Sequence, residues 1–105
     1  YILEYNQDIN GDRIGELLLP LAGADIYAAT PKAERAAKAI QCVRDLRDAL
    51  YEKCQLPRTL KETGKVTEEQ LEQIARVAID DGSIIYNPKE ASHEEILGIL
   101  KQAWE

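Results

Sequence analysis

Residues 92–104 read Ser-His-Glu-Glu-Ile-Leu-Gly-Ile-Leu-Lys-Gln-Ala-Trp and decide the fold class, because they combine a helix start signal with one apolar helix face. Ser92 and Glu95 form a capping box, in which each side chain accepts a hydrogen bond from the backbone N–H of the other residue. The apolar residues behind the box recur at spacings of three and four, as on one face of a helix. These residues are Ile96, Leu97, Leu100, Ala103 and Trp104. The stretch predicts a helix that begins after Ser92.

The same two signals predict two helices upstream. Thr67 and Gln70 form a second capping box, and Thr30 with Pro31 suits the N-cap and first position of a long helix that Pro57 stops. Behind both starts the apolar residues again recur at three and four. They are Leu71, Ile74, Ala75 and Ala78 after the box, and Ala33, Ala36, Ala37, Ile40, Val43, Leu46 and Leu50 after Pro31.

The remaining segments are shorter and are predicted from caps, glycines and prolines. No stretch alternates apolar and polar residues over a useful strand length, so the predicted class is all-α. We expect four to five helices in a bundle-like arrangement, an extended segment before the last helix, and a single domain over residues 1–105. The minor segments are a helix tail at Tyr1–Asn6, a turn at Gln7–Gly11, a short helix from an Asp12 cap to about Leu19 that Pro20 and Gly23 end, a linker at Ala24–Thr30, one turn at Thr59–Thr63 ended by Gly64, and an extended stretch at Ser83–Ala91.

Composition and charge exclude several classes of partner. The chain has 105 residues, with 13 Lys and Arg against 19 Asp and Glu, and a net charge of −6. This acidic surplus argues against nucleic acid, since phosphate binding needs surplus Lys and Arg. No apolar run reaches the ~20 residues that span a bilayer, so no membrane partner is expected.

Cys42 and Cys54 are about 18 Å apart along one predicted helix. That is too far for a disulfide, and free thiols fit a cytoplasmic location.

The titratable residues give little sign of a catalytic centre. His93 is the only histidine, and its place in the first turn of the last helix favours a surface position beside the cap. A lone histidine without a Cys/His cluster predicts no metal site. The pairs Glu68-Glu69 and Glu94-Glu95 lie in first turns, where the helix dipole favours negative charge. Asp80-Asp81 lies at a predicted helix C-terminus, where the helix dipole disfavours negative charge. The Asp8–Asp12 stretch lacks the glycine and the acidic ligand that a calcium loop needs at its sixth and twelfth positions.

Residues Ile79–Lys89 read Ile-Asp-Asp-Gly-Ser-Ile-Ile-Tyr-Asn-Pro-Lys, and the terminal helix ends Leu-Lys-Gln-Ala-Trp. Together they resemble the C-terminus of iron-containing alcohol dehydrogenases, which typically shows a small-residue break, Asn-Pro-Arg or Asn-Pro-Lys, and a final helix ending in Ala-Trp or Ala-Tyr. Tyr1–Asn6 is similar to the family's Val-Met-Glu-Phe/Tyr-Asn segment, and Leu56–Leu60 is similar to its Ile-Pro-x-x-Leu segment. Order and spacing agree, so the resemblance covers essentially the whole chain.

The resemblance implies a parent enzyme that interconverts alcohols and aldehydes with NAD(P) and iron or another divalent metal. The family's ligand motifs, Asp-x-x-x-His, His-x-x-x-His and Pro-His-Gly, precede its Tyr-Asn segment, and no residue here matches them or the Gly-rich dinucleotide loop. The resemblance therefore implies no catalytic, metal-binding or cofactor-binding residue in this chain, and no activity of the chain alone. Ser83 matches a small residue that looks like part of the substrate-channel wall. Asn87 and Pro88 match the turn into the last helix.

The expected partners follow from the same resemblance. They are the N-terminal dinucleotide-binding part of the parent and, through apolar surface which that part would cover, a second copy of this chain. Two other classes stay open. One is a stand-alone acidic helical interaction module. The other is an acyl-carrier-like domain with phosphopantetheine on Ser83, although Gly82 separates Ser83 from Asp81 where such domains have Asp-Ser-Leu.

Overall fold

A computed structural model describes residues 1–105, and it contains helices, turns and irregular segments but no strand. The all-α class is confirmed. Seven α-helices follow one another along the chain: α1 (Ile2–Tyr5), α2 (Gln7–Glu16), α3 (Leu18–Ala22), α4 (Ala24–Ala29), α5 (Arg35–Cys54), α6 (Leu71–Ile79) and α7 (His93–Trp104). Short 3₁₀ segments lie at Lys32–Glu34, Lys61–Thr63, Glu68–Gln70 and Gly82–Tyr86.

The chain divides into two compact units. We call Leu3–Leu56 the N-terminal unit, and Pro57–Glu105 with Tyr1–Ile2 the C-terminal unit. The expectation of a single domain over residues 1–105 stays a prediction. None of the seven helices combines the length and apolar character that crossing a membrane requires.

The N-terminal unit is built on α5, which packs against α2 and α3. Ile14 of α2 is 3% exposed and forms a cluster with Ala36 and Ile40 of α5, against which the half-buried Leu3 packs. Leu18 of α3 is fully buried. Burial of such side chains is the main favourable contribution to folding, at about 1.5–3 kcal/mol for each large one.

The turn predicted at Gln7–Gly11 is wrong, because α2 already begins at Gln7 and runs through it. Asn10 has φ −124° and ψ 23°, so the helix is kinked there. The predicted Asp12 cap is also wrong. Asp12 lies inside α2, and its carboxylate accepts a hydrogen bond from Lys32 Nζ at 2.7 Å. A surface ion pair replaces the capping role that the sequence pattern indicated.

The predicted helix end at Pro20 and Gly23 is half right. Pro20 lies in the first turn of α3, where its missing N–H leaves no intrahelical hydrogen bond unmade. It therefore does not end the helix. Gly23 does, since its φ of 89° is a conformation that glycine adopts without steric cost.

The linker predicted at Ala24–Thr30 is also wrong, because Ala24–Ala29 forms α4. Contacts made by Thr30 and Arg35, which follow α4 in the chain, stabilise it. The Thr30 hydroxyl donates to the carbonyl of Ile26 at 2.6 Å, and Arg35 Nε donates to the carbonyl of Thr30 at 3.0 Å. The Arg35 guanidinium also lies 3.9 Å from the centre of the Tyr27 ring, a cation–π contact. These contacts join residues four to eight positions apart and do not produce a periodic apolar pattern in the sequence.

The long helix starts later than predicted. The Thr30 hydroxyl is turned back to Ile26 and does not cap it, and Pro31, at φ −53° and ψ 141°, precedes the first helical turn. The helix begins as the 3₁₀ turn Lys32–Glu34 and continues as α5. It ends at Cys54, where Gln55 adopts a left-handed φ of 57°, before Pro57 is reached.

Only part of the predicted apolar stripe of α5 is buried. Ala36 and Ile40 are buried as predicted, while Val43 and Leu46 are 40% and 52% exposed. Ala39, which the periodicity did not select, is fully buried. The buried residues lie in the first two turns of α5, so the packing of α2 and α3, rather than periodicity alone, decides which residues are covered.

The C-terminal unit consists mainly of α6 packed against α7. Both predicted capping boxes are confirmed. The Ser92 N–H donates to Glu95 Oε2 at 2.8 Å, and the Glu95 N–H donates to Ser92 Oγ at 3.2 Å. The Thr67 N–H donates to Gln70 Oε1 at 2.9 Å. Each box satisfies backbone donors that a helix start leaves open.

Burial in this unit is slight. Leu71 and Ala75 of the predicted α6 stripe are buried, and the predicted α7 stripe is half-buried throughout. The predicted turn at Thr59–Thr63 is confirmed, with Gly64 at φ 64° after it. The Leu60 N–H of this turn donates to the Ala103 carbonyl at 2.8 Å and so ties it to the end of α7.

The extended stretch predicted at Ser83–Ala91 is wrong in its first part. Gly82–Tyr86 forms a 3₁₀ helix because the Asp81 side chain caps it. After Tyr86 the chain is irregular, with Asn87 extended and bends at residues 87–89. The two adjacent carboxylates Asp80 and Asp81 therefore have structural roles. Asp80 is the C-cap of α6, and Asp81 is the N-cap of the segment that follows.

Candidate functional site

Ser83 is the one residue to which the sequence assigned a functional place, and it lies exposed in the 3₁₀ segment Gly82–Tyr86. Its N–H donates to Asp81 Oδ1 at 2.8 Å, and its hydroxyl donates to the same oxygen. These hydrogen bonds, the one from the hydroxyl above all, hold the pKa of Asp81 below its usual range. The Ser83 side chain is therefore small, oriented and solvent-facing.

This pair does not have the properties of an activated nucleophile. A serine nucleophile needs a base that takes its proton, and a carboxylate with a lowered pKa is a weak base. Histidine usually fills that role, but His93 lies beside α6 instead. Its Nε2 is 3.5 Å from both the carbonyl oxygen and Oε1 of Glu72. Ser83 and His93 are therefore held by different partners and not by each other.

A largely apolar groove lies beside the Asp81 end of this segment. Its volume is about 530 Å³. The lining residues are Lys65, Val66, Gln70, Gln73, Ile74, Val77, Ala78 and Asp81. Asp81 thus caps the Ser83 segment and also borders the groove.

Three large apolar side chains in this part of the chain are exposed to solvent. Val77 is 64% exposed, Ile85 is 75% exposed and Tyr86 is 84% exposed. Exposed apolar side chains that follow one another along the chain are typical of segments that contact another molecule or another part of a protein. We use the name Ser83 surface for the exposed residues Ser83, Ile85 and Tyr86 of the 3₁₀ segment. Sequence periodicity could not identify it, because the isoleucine and tyrosine were read as part of an extended stretch.

The two cysteines are free thiols, as predicted. Cys54 is exposed, and its Sγ lies 3.0 Å from the Leu50 carbonyl, one turn earlier in α5. Within residues 1–105, no group of three or more His, Cys, Asp or Glu side chains is placed to hold a metal ion.

Comparison with family models identifies the fold. Residues 1–104 match the model of the Fe-containing alcohol dehydrogenase family, C-terminal. The chain belongs to this family. The match includes all the segments that carried the sequence resemblance, from Tyr1–Asn6 to the end of α7. Comparisons with curated proteins and with solved structures gave no match.

The family name implies iron, and the donor set of this dehydrogenase-family chain does not fit it. A catalytic metal site usually takes three or more protein ligands from His, Cys, Asp and Glu. His93 has one neighbouring carboxylate, from Glu72, and that group also accepts a hydrogen bond from Arg76 at 3.4 Å. We therefore assign no reaction step to a metal held by these residues.

Proposed function

We propose that this chain is the C-terminal helical portion of an NAD(P)-dependent alcohol dehydrogenase that uses iron or another divalent metal. In that enzyme it would supply helical scaffold and one wall of the substrate channel, while residues outside this chain hold the metal and the dinucleotide. The family match over residues 1–104 carries the proposal. The implied reaction class is the interconversion of alcohols and aldehydes.

The Ser83 surface supports the channel-wall assignment. A wall residue needs a small, fixed side chain that leaves room for substrate, and hydrogen bonds to Asp81 fix the orientation of Ser83. Ile85 and Tyr86 supply the apolar surroundings that small-molecule sites usually have. Asn87 helps to fix the following turn, because its Nδ2 donates to the Lys89 carbonyl at 2.6 Å.

We further propose that the apolar side chains left exposed here contact the dinucleotide-binding part of the parent, and that the isolated chain pairs with itself when that part is absent. Twelve large apolar side chains are exposed. They are Ile2, Ile9, Leu17, Leu19, Leu21, Ile26, Val43, Leu46, Leu56, Val77, Ile85 and Tyr86. Light scattering over a concentration series is expected to show association, and a monomer at all concentrations would contradict this part.

The free cysteines support a cytoplasmic location.

The first experiment tests whether this chain has dehydrogenase activity without the part that would hold the metal and the dinucleotide. The 105-residue chain is incubated with ferrous iron, NADH or NADPH and short aldehydes, and oxidation of the nicotinamide is followed by absorbance. A complete member of the family is the positive control. We expect no turnover above the blank, and clear turnover by the isolated chain would contradict the proposal.

The second experiment tests Ser83 in a chimera, in which this chain replaces the corresponding C-terminal portion of a complete family member. Ser83→Leu is expected to lower kcat/KM for long aldehydes more than for short ones, because the added side chain narrows the channel. Ser83→Ala should leave that ratio unchanged. Ala33→Leu, a similar enlargement at an exposed position of the N-terminal unit, is the control. Equal losses for long and short aldehydes would argue against a channel-wall role.

Of the open alternatives, the acyl-carrier interpretation has the weaker support. Ser83 lies behind Gly82 in a 3₁₀ segment and not at the start of a long α-helix. Treatment with a phosphopantetheinyl transferase and coenzyme A should leave the mass of the chain unchanged. A mass increase on Ser83 would favour the carrier.

A further inference from the structure

The dipeptide Asn10-Gly11 lies in the kinked part of α2, away from the Ser83 surface in sequence. We propose that it is a site of self-modification, at which Asn10 deamidates through a cyclic imide in the folded chain. This inference is independent of the proposed dehydrogenase function.

The chemistry needs only the chain and water. The backbone nitrogen of Gly11 loses its proton to solvent and attacks Cγ of Asn10. The side-chain NH₂ group takes up a proton from solvent and leaves as ammonia. This closes a five-membered succinimide ring. Water then opens the ring at either carbonyl, giving aspartate at position 10 or its β-linked isomer. The sum is one amide plus one water giving one acid plus one ammonia, with no change of oxidation state.

The three asparagines of the chain differ in their capacity for this reaction. Asn87 precedes Pro88, which has no N–H to lose. Asn6 is only 5% exposed and precedes Gln7, whose side chain crowds the attacking nitrogen. Asn10 precedes glycine, which has no Cβ, and both residues of this pair are half-buried rather than buried. Asn10 alone has an unhindered, reachable nucleophile next to it.

The local structure lets the ring form. Closure requires rotation about the Asn10 Cα–C bond away from its ψ of 23°, so the first part of α2 must open. That opening is inexpensive because the only buried residues of α2 are Ile14 and Gly15, both beyond the kink, while Ile9 is 62% exposed. A cavity of about 380 Å³ borders Asn10 and Gly11, which leaves room for water at the ring.

The product would change the surface of the N-terminal unit. A carboxylate at position 10 adds negative charge between Asp8 and Asp12, which also border the cavity. The β-linked product inserts an extra atom into the backbone, so a regular helix cannot run through it. The turn before Ile14 is expected to unwind, while the contact of Ile14 with α5 remains.

The test uses the full 105-residue chain, incubated for days at mildly alkaline pH in buffer and, in parallel, in urea. Circular dichroism verifies the helical state in buffer. Peptide mass spectrometry and labelling by an isoaspartyl methyltransferase report the product. Gly11→Ala is the matched variant, since an added Cβ would meet only Gln7 Cγ at an ordinary 4.0 Å. In Asn10→Gln the side chain is one methylene longer, so the same attack would have to close a six-membered ring instead of the favoured five-membered one.

We expect the buffered chain to gain the mass difference between an amide and an acid, and the methyl label, only in the peptide with Asn10. Both signals should fall several-fold in Gly11→Ala and vanish in Asn10→Gln. The proposal is overturned if the Asn10 peptide changes in urea but not in buffer, because the fold then protects it. It is equally overturned if Asn6 or Asn87 reacts as fast in buffer.

Discussion

The two units of this chain are stabilised in different ways. In the N-terminal unit, Ile14, Leu18, Ala36, Ala39 and Ile40 are all buried, and two of its ion pairs, Lys32–Asp12 and Arg44–Glu4, join residues 20 and 40 positions apart. In the C-terminal unit only Leu71 and Ala75 are buried, and α7 has no buried residue. Its helix starts are instead held by capping boxes. Burial of apolar side chains is more extensive in the first unit, while the second depends more on hydrogen bonds, both in its capping boxes and between Leu60 and Ala103.

The strongest test of this contrast removes the most buried side chain of the N-terminal unit. Leu18→Ala is expected to destabilise that unit by about 2–5 kcal/mol, because it removes apolar contacts and leaves a cavity. Leu46→Ala, at a 52% exposed position of α5, should change stability by no more than about 0.5 kcal/mol. Hydrogen exchange read by mass spectrometry resolves the loss by segment. Equal effects of the two variants would contradict the difference in burial between Leu18 and Leu46.

A second variant tests the close approach of α2 to α5. A Cβ on Gly15 would lie 3.0 Å from Arg35 Cβ and 3.4 Å from the backbone nitrogen of Ala36. Arg35 cannot easily move, since it is held by Thr30 and Tyr27. Gly15→Ala is therefore expected to destabilise the N-terminal unit by about 1–3 kcal/mol through overpacking.

The matched control for that variant is Gly98 in α7, where an added Cβ meets nothing within 4 Å. Gly98→Ala should stabilise the C-terminal unit by about 0.5–1 kcal/mol, because alanine loses less backbone freedom in a helix. Thermal unfolding followed by circular dichroism gives both changes. A Gly15→Ala variant that is as stable as the unchanged chain, or more stable, would contradict the close approach of α2 to α5 at Gly15.

The capping box of α7 tests the other side of the contrast. Ser92→Ala removes the oxygen that accepts the Glu95 N–H and is expected to cost about 1 kcal/mol. Ser83→Ala removes a hydroxyl that donates to the Asp81 carboxylate but frees no backbone donor of a helix start, so it should cost less. Hydrogen exchange of the first turn of α7 is the measurement. Unchanged protection in Ser92→Ala would show that packing, and not the cap, holds α7.

These caps also explain where the sequence was informative. Thr67, Gln70, Ser92 and Glu95 act on residues three positions away, so the starts of the last two helices could be predicted. The first thirty residues contain no such box. Two of their helices, α2 and α3, pack on α5, and ion pairs form with α5 or with the turn before it, such as Arg44 with Glu4 across 40 positions, which no capping pattern reveals.

The candidate site was predictable to a similar degree. Ser83 could be located through the family resemblance, whereas the groove and the exposure of Tyr86 could not. The conformation of the Ser83 segment depends on one side chain, Asp81. The hydrogen bond that Asp81 accepts from the Ser83 N–H stabilises a 3₁₀ turn where Pro88 and the absence of periodicity suggested extended chain.

Acidification is the mildest test of the contrast. Four carboxyl groups of the C-terminal unit have a lowered pKa: Glu62 through Arg58, Glu69 through its own N–H and Thr67, Asp81 through Ser83, and Glu105 through Lys61. A carboxyl whose pKa is lower in the folded state contributes stability above the unfolded value of about 4. That contribution is lost as the pH falls through the folded pKa.

We therefore expect the C-terminal unit to lose protection first as the pH is lowered below about 4. Trp104, the single tryptophan, reports this unit by fluorescence. Asp81→Asn should reduce the acid sensitivity slightly, since all four groups are exposed and their contributions are small. Earlier loss of the N-terminal unit would contradict the assignment of these groups.

Complementation distinguishes a C-terminal portion of a larger enzyme from a chain that acts alone. The dinucleotide- and metal-binding remainder of an iron-containing alcohol dehydrogenase is prepared without its own C-terminal helical portion and is mixed with this chain, an aldehyde and NADH or NADPH. We expect no reduction of aldehyde by either piece alone and a measurable rate from the mixture. Activity of this chain without the other piece, or an inactive mixture in which the two pieces demonstrably associate, would contradict it.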